Sequence, residues 1–356
     1  TARLEPTAHL FLNANRLRLT HIFAPEHGLN AALQDQVRSS GSRHARTGVQ
    51  IVSLYGRTCR PKIRALEDLD IVVIDLQDIG TRYYTFVWTA LIVIEQAAAH
   101  GTKIYVLDRP NPLNGVTMEG PVLDATYRSF VGLHPIPVRH GMTIGELCLL
   151  MNDELHLDAD LEIVPMTGWH RQQYHPDTGL FWTSPSPNMP GFQTALVYPG
   201  MCLLEGTNVS EGRGTTKPFQ FFGAPWIDPF DLVRALRKQN IPGTAFRPLY
   251  FQPTFHKYAR TMCGGAEIQV TQRDRFTPTR AGLEIIRTIQ RMYPRHFRWR
   301  EPPYEYERTK MPFDILIGNS WVRKGLRRNT VTKLEDRWHT ALQRFARRRK
   351  KYLLYN

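Results

Sequence analysis

The chain has 356 residues, of which 42% are hydrophobic and 22% charged, a globular composition at a length that one core rarely serves, so two domains are expected. No apolar run reaches the ~20 residues of a membrane span; the longest, Phe86 to Ala99, is interrupted by Glu95 and Gln96. The net charge of +14 belongs wholly to the C-terminal part: residues 1–225 carry 18 Lys and Arg against 21 Asp and Glu, and residues 226–356 carry 28 against 11.

In chain order, Leu17–Ala24, Ile51–Leu54, Asp70–Leu76, Thr102–Leu107 and Leu161–Pro165 read as strands. Helical stretches separate them around Pro61–Asp68, at Thr85–His100 and at Thr143–Glu154. Near-continuous apolar strands alternating with helices predict a parallel sheet covered on both faces. Phe181–Thr216, rich in Pro, Gly, Asn and Ser, reads as a long irregular loop of the functional kind. Beyond a boundary placed near Gly223–Asp228, Pro229–Gln239 and Thr279–Tyr293 read as helices, Ala245–Gln252 and Ala266–Thr271 as strands, Phe313–Gly318 as a short run and Leu334–Arg349 as a basic closing helix. The expected architecture is α/β: a Rossmann-like parallel-sheet domain over residues 1–224, then a smaller, basic α/β domain over 225–356.

In open parallel sheets the ligand crevice lies beyond the carboxyl ends of the strands, and here those ends carry the unusual residues. Pro25-Glu26-His27-Gly28 follows the first strand. Glu26 there is either a general acid projecting into the crevice or a cap on the next turn. After the third strand come Asp75, Gln77, Asp78, Arg82, Tyr83 and Tyr84. Arg82 offers a planar fork to a carboxylate and the tyrosines offer faces for a sugar, unless Asp78 and Arg82 merely pair with each other. Asp108, in a Pro-stiffened loop, reads chiefly as a fixing residue, and Glu119 follows as a possible second carboxylate. Glu205–Thr216 gathers Glu205, Asn208, Glu211, Arg213 and three glycines within twelve residues, a loop suited to close approach by a ligand.

Several chemistries find no support. There is no G-x-S-x-G elbow, no correctly spaced phosphate loop, no G-x-G-x-x-G after a strand and no H-E-x-x-H. The four cysteines lack C-x-x-C spacing, and Cys148 and Cys202 look like small buried hydrophobes. His21 and His27 around a single Glu are too little for a metal site. Neither metal nor cofactor is expected. The basic C-terminal part suits a polyanion or is simply a solvated surface; it carries no nucleic-acid module signature.

The series FAPEHG (Phe23–Gly28), VSLYG (Val52–Gly56), DLQDIGTRYYT (Asp75–Thr85), LDRPNPLNG (Leu107–Gly115), EGPVLD (Glu119–Asp124), SFVGLHPIPVRHGMTIGEL (Ser129–Leu147), SPSPNMP (Ser184–Pro190) and YPGMCLLEGTNVSEGRGTTKPF (Tyr198–Phe219) resembles the NamZ-type exo-β-N-acetylmuramidases. GAPWID, FRPLYFQPTFHKYA (Phe246–Ala259) and the closing YLLY extend the likeness over nearly the whole chain. The resemblance implies the two-domain fold, exo-cleavage of β-1,4-linked N-acetylmuramic acid from the non-reducing ends of peptidoglycan fragments, and a central catalytic role for Glu26. Hydrolysis of this kind usually takes two carboxyls. Glu211 is the expected partner, with Glu119, Asp78 and Glu205 as alternatives, and the substrate's own N-acetyl group can also serve. His27, Asp78, Arg82, Tyr83, Tyr84, Glu119, Arg139, Asn188, Glu205, Asn208 and Arg213 are the expected substrate-binding residues. Arg82, then Arg213 and Arg139, are the candidates for the lactyl carboxylate that distinguishes muramic acid. The rival expectation is a non-catalytic binder of peptidoglycan or of a polyanion. Relative to the family, the chain opens on what reads as the helix after a first strand (Thr7–Asn13). An extracytoplasmic protein whose leader is absent from this sequence is the expectation.

Overall fold

The computed structural model describes residues 4–34, 42–44, 47–55 and 63–356. Cys59 and the start of the helix expected around Pro61–Asp68 lie outside them; within them that stretch is a single 3-10 turn, Arg64–Leu66. The first unit runs α1 (Thr7–Leu12), β1 (His21–Ala24), β2 (Ser42–Arg43), β3 (Gln50–Ser53), β4 (Ile71–Ile74), α2 (Phe86–Ala99), β5 (Lys103–Leu107), β6 (Glu119–Val122), β7 (Pro137–Arg139), α3 (Ile144–Glu154) and β8 (Leu161–Val164).

Its parallel strands form two hydrogen-bonded patches. β1 pairs with β3, and β4, β5 and β8 lie side by side in that order. The β-branched run of β4 buries Val72 and Ile74 against α2 and α3, joined there by Ile104, Val106, Ala90, Ile94, Ile144 and Cys148. α3 is fixed at its start by a capping box, Thr143 with Glu146. The expected burial of both sheet faces is corrected in part. Ile71 and Val73, on the other side of β4, are 41% and 37% exposed, and Val164 of β8 is 41% exposed. The strand therefore alternates rather than burying every residue.

The antiparallel hairpin β6–β7 was not expected from sequence. Gly120, Pro121 and Pro137 fall inside it and hide its strand character. It matters because the C-terminal helices of the chain pack on β6.

The remaining elements are α4 (Phe192–Met201), β9 (Phe221–Ala224), α5 (Pro229–Lys238), β10 (Thr244–Phe251), β11 (Cys263–Val270), α6 (Pro278–Met292), α7 (Pro312–Ile317), α8 (Trp321–Leu326) and α9 (Val331–Arg349). β10, β11 and β9 form an antiparallel sheet in that order. The boundary expected at 224–225 cuts directly behind β9, yet β9 is a strand of this second sheet. The stretch expected to be irregular over Phe181–Thr216 also contains a buried helix, α4, which crosses α6 backbone to backbone. A Cβ on Gly200 would lie 1.9 Å from the carbonyl oxygen of Pro278, and one on Gly282 would lie 2.2 Å from that of Gly200. Only glycine at both positions permits so close a crossing. It ties α4 into the main core, which runs on through Leu232, Phe246, Ile268, Leu283, Phe313 and Trp338. Among the described residues no helix is long and apolar enough to cross a membrane.

Candidate active site

A cleft opens where the carboxyl ends of β1 and β4 meet the turn behind α4 and a segment of the second unit. β1 ends in buried Ala24, and the chain then turns sharply, with the Gly28 amide donating to the Pro25 carbonyl at 3.1 Å. The turn throws Glu26 into the cleft wall, where it is 6% exposed and its Oε2 accepts from the Thr85 hydroxyl at 2.7 Å. His27 beside it sits at φ 72°, its Nδ1 2.9 Å from the Leu33 carbonyl.

Tyr55, just past the end of β3, reaches across to the second unit and donates its hydroxyl to Oε2 of Glu305 at 2.6 Å. Burial pushes the Tyr55 phenol far above the usual tyrosine range, and the carboxylates of Glu26 and Glu305 push it further. The phenol therefore stays protonated and remains a donor.

The opposite wall is a chain of three groups. Glu205, in the 3-10 turn after α4, accepts through Oε1 from Arg213 Nε at 3.2 Å and Nη2 at 2.8 Å, and through Oε2 from the Tyr304 hydroxyl at 2.8 Å. Arg213 also lies over the Phe219 ring, 5.0 Å from its centre. Among the described residues lining the cleft, Arg213 is the permanent cation. Aromatic rings complete the surface: Tyr84 and Phe219 both pack on Tyr198, and Phe130 on Tyr304. Burial, then the nearby carboxylates Glu26 and Asp78, also raise the Tyr84 phenol.

Of the expected site residues, Glu26, His27, Tyr83, Tyr84, Asn188, Glu205 and Arg213 line this cleft. Asn188 is held by its amide donating to Gln34 at 2.7 Å. The structure places the others elsewhere. Arg82 is 0% exposed, and its guanidinium donates to the carbonyls of Pro121, Ile136 and Leu316 at 3.0, 3.1 and 2.6 Å. It is therefore a clamp between the units and has no fork to offer a ligand. Arg139 and Glu119 are a buried pair across the β6–β7 hairpin, 2.6 Å apart. Asp78, expected to bind substrate, accepts from the Gly80 amide at 2.6 Å and lies 3.2 Å from His140, and the alternative pairing with Arg82 is not made either. Asn208 accepts from the Arg298 amide and donates to the His296 carbonyl. Glu211, the expected second carboxylate, is 0% exposed, with Lys257 at 2.8 Å, His256 at 3.1 Å and Arg213 at 3.7 Å. Asp108 fixes its loop, accepting from the Gly145 amide and from the hydroxyls of Thr143 and Tyr355.

Sequence reasoning missed Tyr55, Thr85 and Glu305. The first two stand in strand-end stretches whose neighbours drew the attention, so their position was a usable signal. Glu305 lies 250 residues from the tyrosine it meets, and nothing local marks it. The wall also gives Tyr304, otherwise one aromatic in a basic region, a specific partner. Among the described residues no group of three or more His, Cys, Asp or Glu side chains is placed to hold a metal ion.

The chain matches the profile of the exo-β-N-acetylmuramidase NamZ N-terminal domain over residues 1–193 and that of the C-terminal domain over residues 196–355. It is 44% identical over 340 residues to the peptidoglycan β-N-acetylmuramidase NamZ of Bacillus subtilis (strain 168), covering 95% of this chain and 80% of that protein. Among solved structures, a DUF1343 family protein of Bacteroides fragilis superposes with a TM-score of 0.88 at 30% identity, covering 100% of this chain and 91% of its own. A second from the same organism gives 0.74 at 28%, covering 99% and 90%.

Proposed function

The chain belongs to the NamZ exo-β-N-acetylmuramidase family, and on that premise we propose that it cleaves β-1,4-linked N-acetylmuramic acid from the non-reducing ends of peptidoglycan fragments, with Glu26 as the general acid. The observation that carries the role of Glu26 is its placement: a strand-end carboxylate in the cleft wall, oriented through one oxygen by Thr85. A hydroxyl both donates and accepts, so Thr85 can hold the carboxyl group before and after it gives up its proton.

The rest of the cleft suits a terminal amino sugar. Tyr84, Phe130 and Tyr304 line it with aromatic surface, while Arg213 sets a positive field on one side. The lactyl ether of muramic acid carries a carboxylate that N-acetylglucosamine lacks, and that charge would lie toward Arg213. Glu205 already takes two of the guanidinium donors, so this attraction is electrostatic rather than a fresh two-pronged bond.

The test is Glu26→Gln, which keeps the shape and removes the proton donor. Turnover of a chromogenic muramic acid glycoside should fall by about 10²–10⁴-fold with the thermal unfolding midpoint unchanged. A variant within a few-fold of the parent would overturn the assignment.

A further inference from the structure

A second pocket lies in the second unit, where the C-terminal end of α6 and the segment after it meet α8 and the approach to α7. It measures about 290 Å³ and shares no lining residue with the cleft; sites for small ligands run from about 300 Å³ upward. Phe297, Trp299 and Met311 give it apolar surface, and Arg298, Arg323 and Arg327 give it charge. Arg323 is fixed: its Nε and Nη2 donate to the two oxygens of Asp314 at 2.7 and 2.8 Å, which leaves Nη1 over. Arg327 stands four residues on, at the end of the same helix, so both guanidinium groups rise from one side of it. Arg298 is exposed and spends one nitrogen on the Phe297 carbonyl. Glu301 is the one carboxylate among the described lining residues, so the pocket keeps a net positive charge even with Asp314 counted. The wall also holds Gln290, whose Oε1 is buried without a hydrogen-bond partner among the described residues.

We propose that this pocket is a second saccharide site, which holds an N-acetylmuramic acid residue within a glycan strand by its lactyl carboxylate and takes no part in bond cleavage. The inference rests on the reading of the chain as a peptidoglycan hydrolase. Cations, apolar surface and a buried acceptor converge in one place, and the sugar carries the complement of each. Its carboxylate suits the guanidinium groups, its ring C–H bonds and acetyl methyl suit the apolar wall, and its hydroxyl and amide N–H groups suit Gln290. A phosphate-chain polymer matches less well, because it brings less apolar surface and repeats its charge at every unit, which Glu301 opposes. The position in the fold fits the role. The segment 298–304 carries pocket residues at one end and Tyr304 of the cleft at the other. Between them it is pinned to the turn that follows Glu205: Trp299 bridges to Thr207, and the Arg300 amide donates to the Gly206 carbonyl at 2.9 Å. A strand held at the pocket keeps the protein among further chain ends and so raises their concentration at the cleft.

The experiment measures calorimetric binding to the full chain of two tetrasaccharides. One alternates N-acetylglucosamine with N-acetylmuramic acid and begins with N-acetylglucosamine at its non-reducing end; the other is N-acetylglucosamine throughout. Neither offers the cleft a terminal muramic acid, so a difference between them reports the second site. The parent should bind the first about 10–100-fold more tightly, the scale of hydrogen bonds to a charged group. The double variant Arg298→Gln with Arg327→Gln should lose that preference, while its unfolding midpoint and its kcat and KM on a chromogenic muramic acid glycoside stay at parental values. Equal binding of the two tetrasaccharides by the parent, or a preference that survives in the variant, would overturn the proposal. A polyglycerol phosphate whose binding the variant loses while its tetrasaccharide preference persists would reassign the pocket to a phosphate polymer and overturn it too. A parent that shows the expected preference yet releases no sugar from a fragment ending in muramic acid would sink the reading of the cleft and leave the pocket's assignment standing.

Discussion

Glu211 has no route to solvent and is bracketed by Lys257, His256 and Arg213. Burial alone would raise its carboxyl, but Lys257 first, then His256 and Arg213, outweigh it and hold the group well below its ordinary value of 4.5. A depressed folded pKa means that the pairing stabilises the fold above the unfolded value and is lost as pH falls through the folded one. Glu211→Gln should therefore cost about 3 kcal/mol at pH 7, because it leaves buried Arg213 and half-buried Lys257 without that carboxylate. Urea titrations of parent and variant should show that gap narrowing as the pH is lowered below about 4.5; a gap independent of pH would contradict the account. Arg82 makes the complementary point. Its guanidinium lacks a carboxylate partner among its hydrogen bonds and is spent on three carbonyls, and burial lowers it to about 10. Both residues looked chemical in the sequence because their types are those that catalytic sites use. Their burial is a property of the packed molecule and not of spacing.

Among the elements, the crossing of α4 and α6 is the most constrained. The 3-10 turn that carries Glu205 follows α4 without a break, so the crossing sets where one wall of the cleft stands. Gly200→Ala should destabilise the protein by about 1–3 kcal/mol, the cost of forcing two backbones apart. It should also lower kcat by moving Glu205, and equal stability of parent and variant in chemical denaturation would show that the crossing yields freely. The same elements mark how far sequence reasoning reaches. β4, α2, β5 and α3 were legible because apolar periodicity is strong there and their ends carry turn signals. α4 was not, because Pro199 and Gly200 read as breakers; the tertiary contact that demands Gly200 is invisible locally. The hairpin β6–β7 was hidden by its own prolines for a similar reason. The position of Glu26 at a strand end was legible from spacing, whereas its companions Thr85, Tyr55 and Glu305 required the fold to bring them together.

For the whole molecule, the two units are interlocked. The last turn of α9 returns to the first unit, where Arg349 donates to the carbonyls of Val116, His140 and Gly141, and Tyr352 and Phe345 pack against α2 and α3. Part of the basic C-terminal charge is therefore structural. The cleft lies where that interlocking brings strand ends of one unit against the 304–305 segment of the other, which is why its chemistry depends on the complete fold. The central claim is exo-cleavage of a terminal muramic acid in that cleft. It is tested most directly by incubating the protein with two defined peptidoglycan fragments, one ending at its non-reducing end in N-acetylmuramic acid and the other in N-acetylglucosamine, and identifying the products by mass spectrometry. The account predicts free N-acetylmuramic acid and the fragment shortened by that one sugar as the early products of the first fragment, and no monosaccharide from the second; cleavage at internal bonds, or no cleavage of the first fragment, would contradict it.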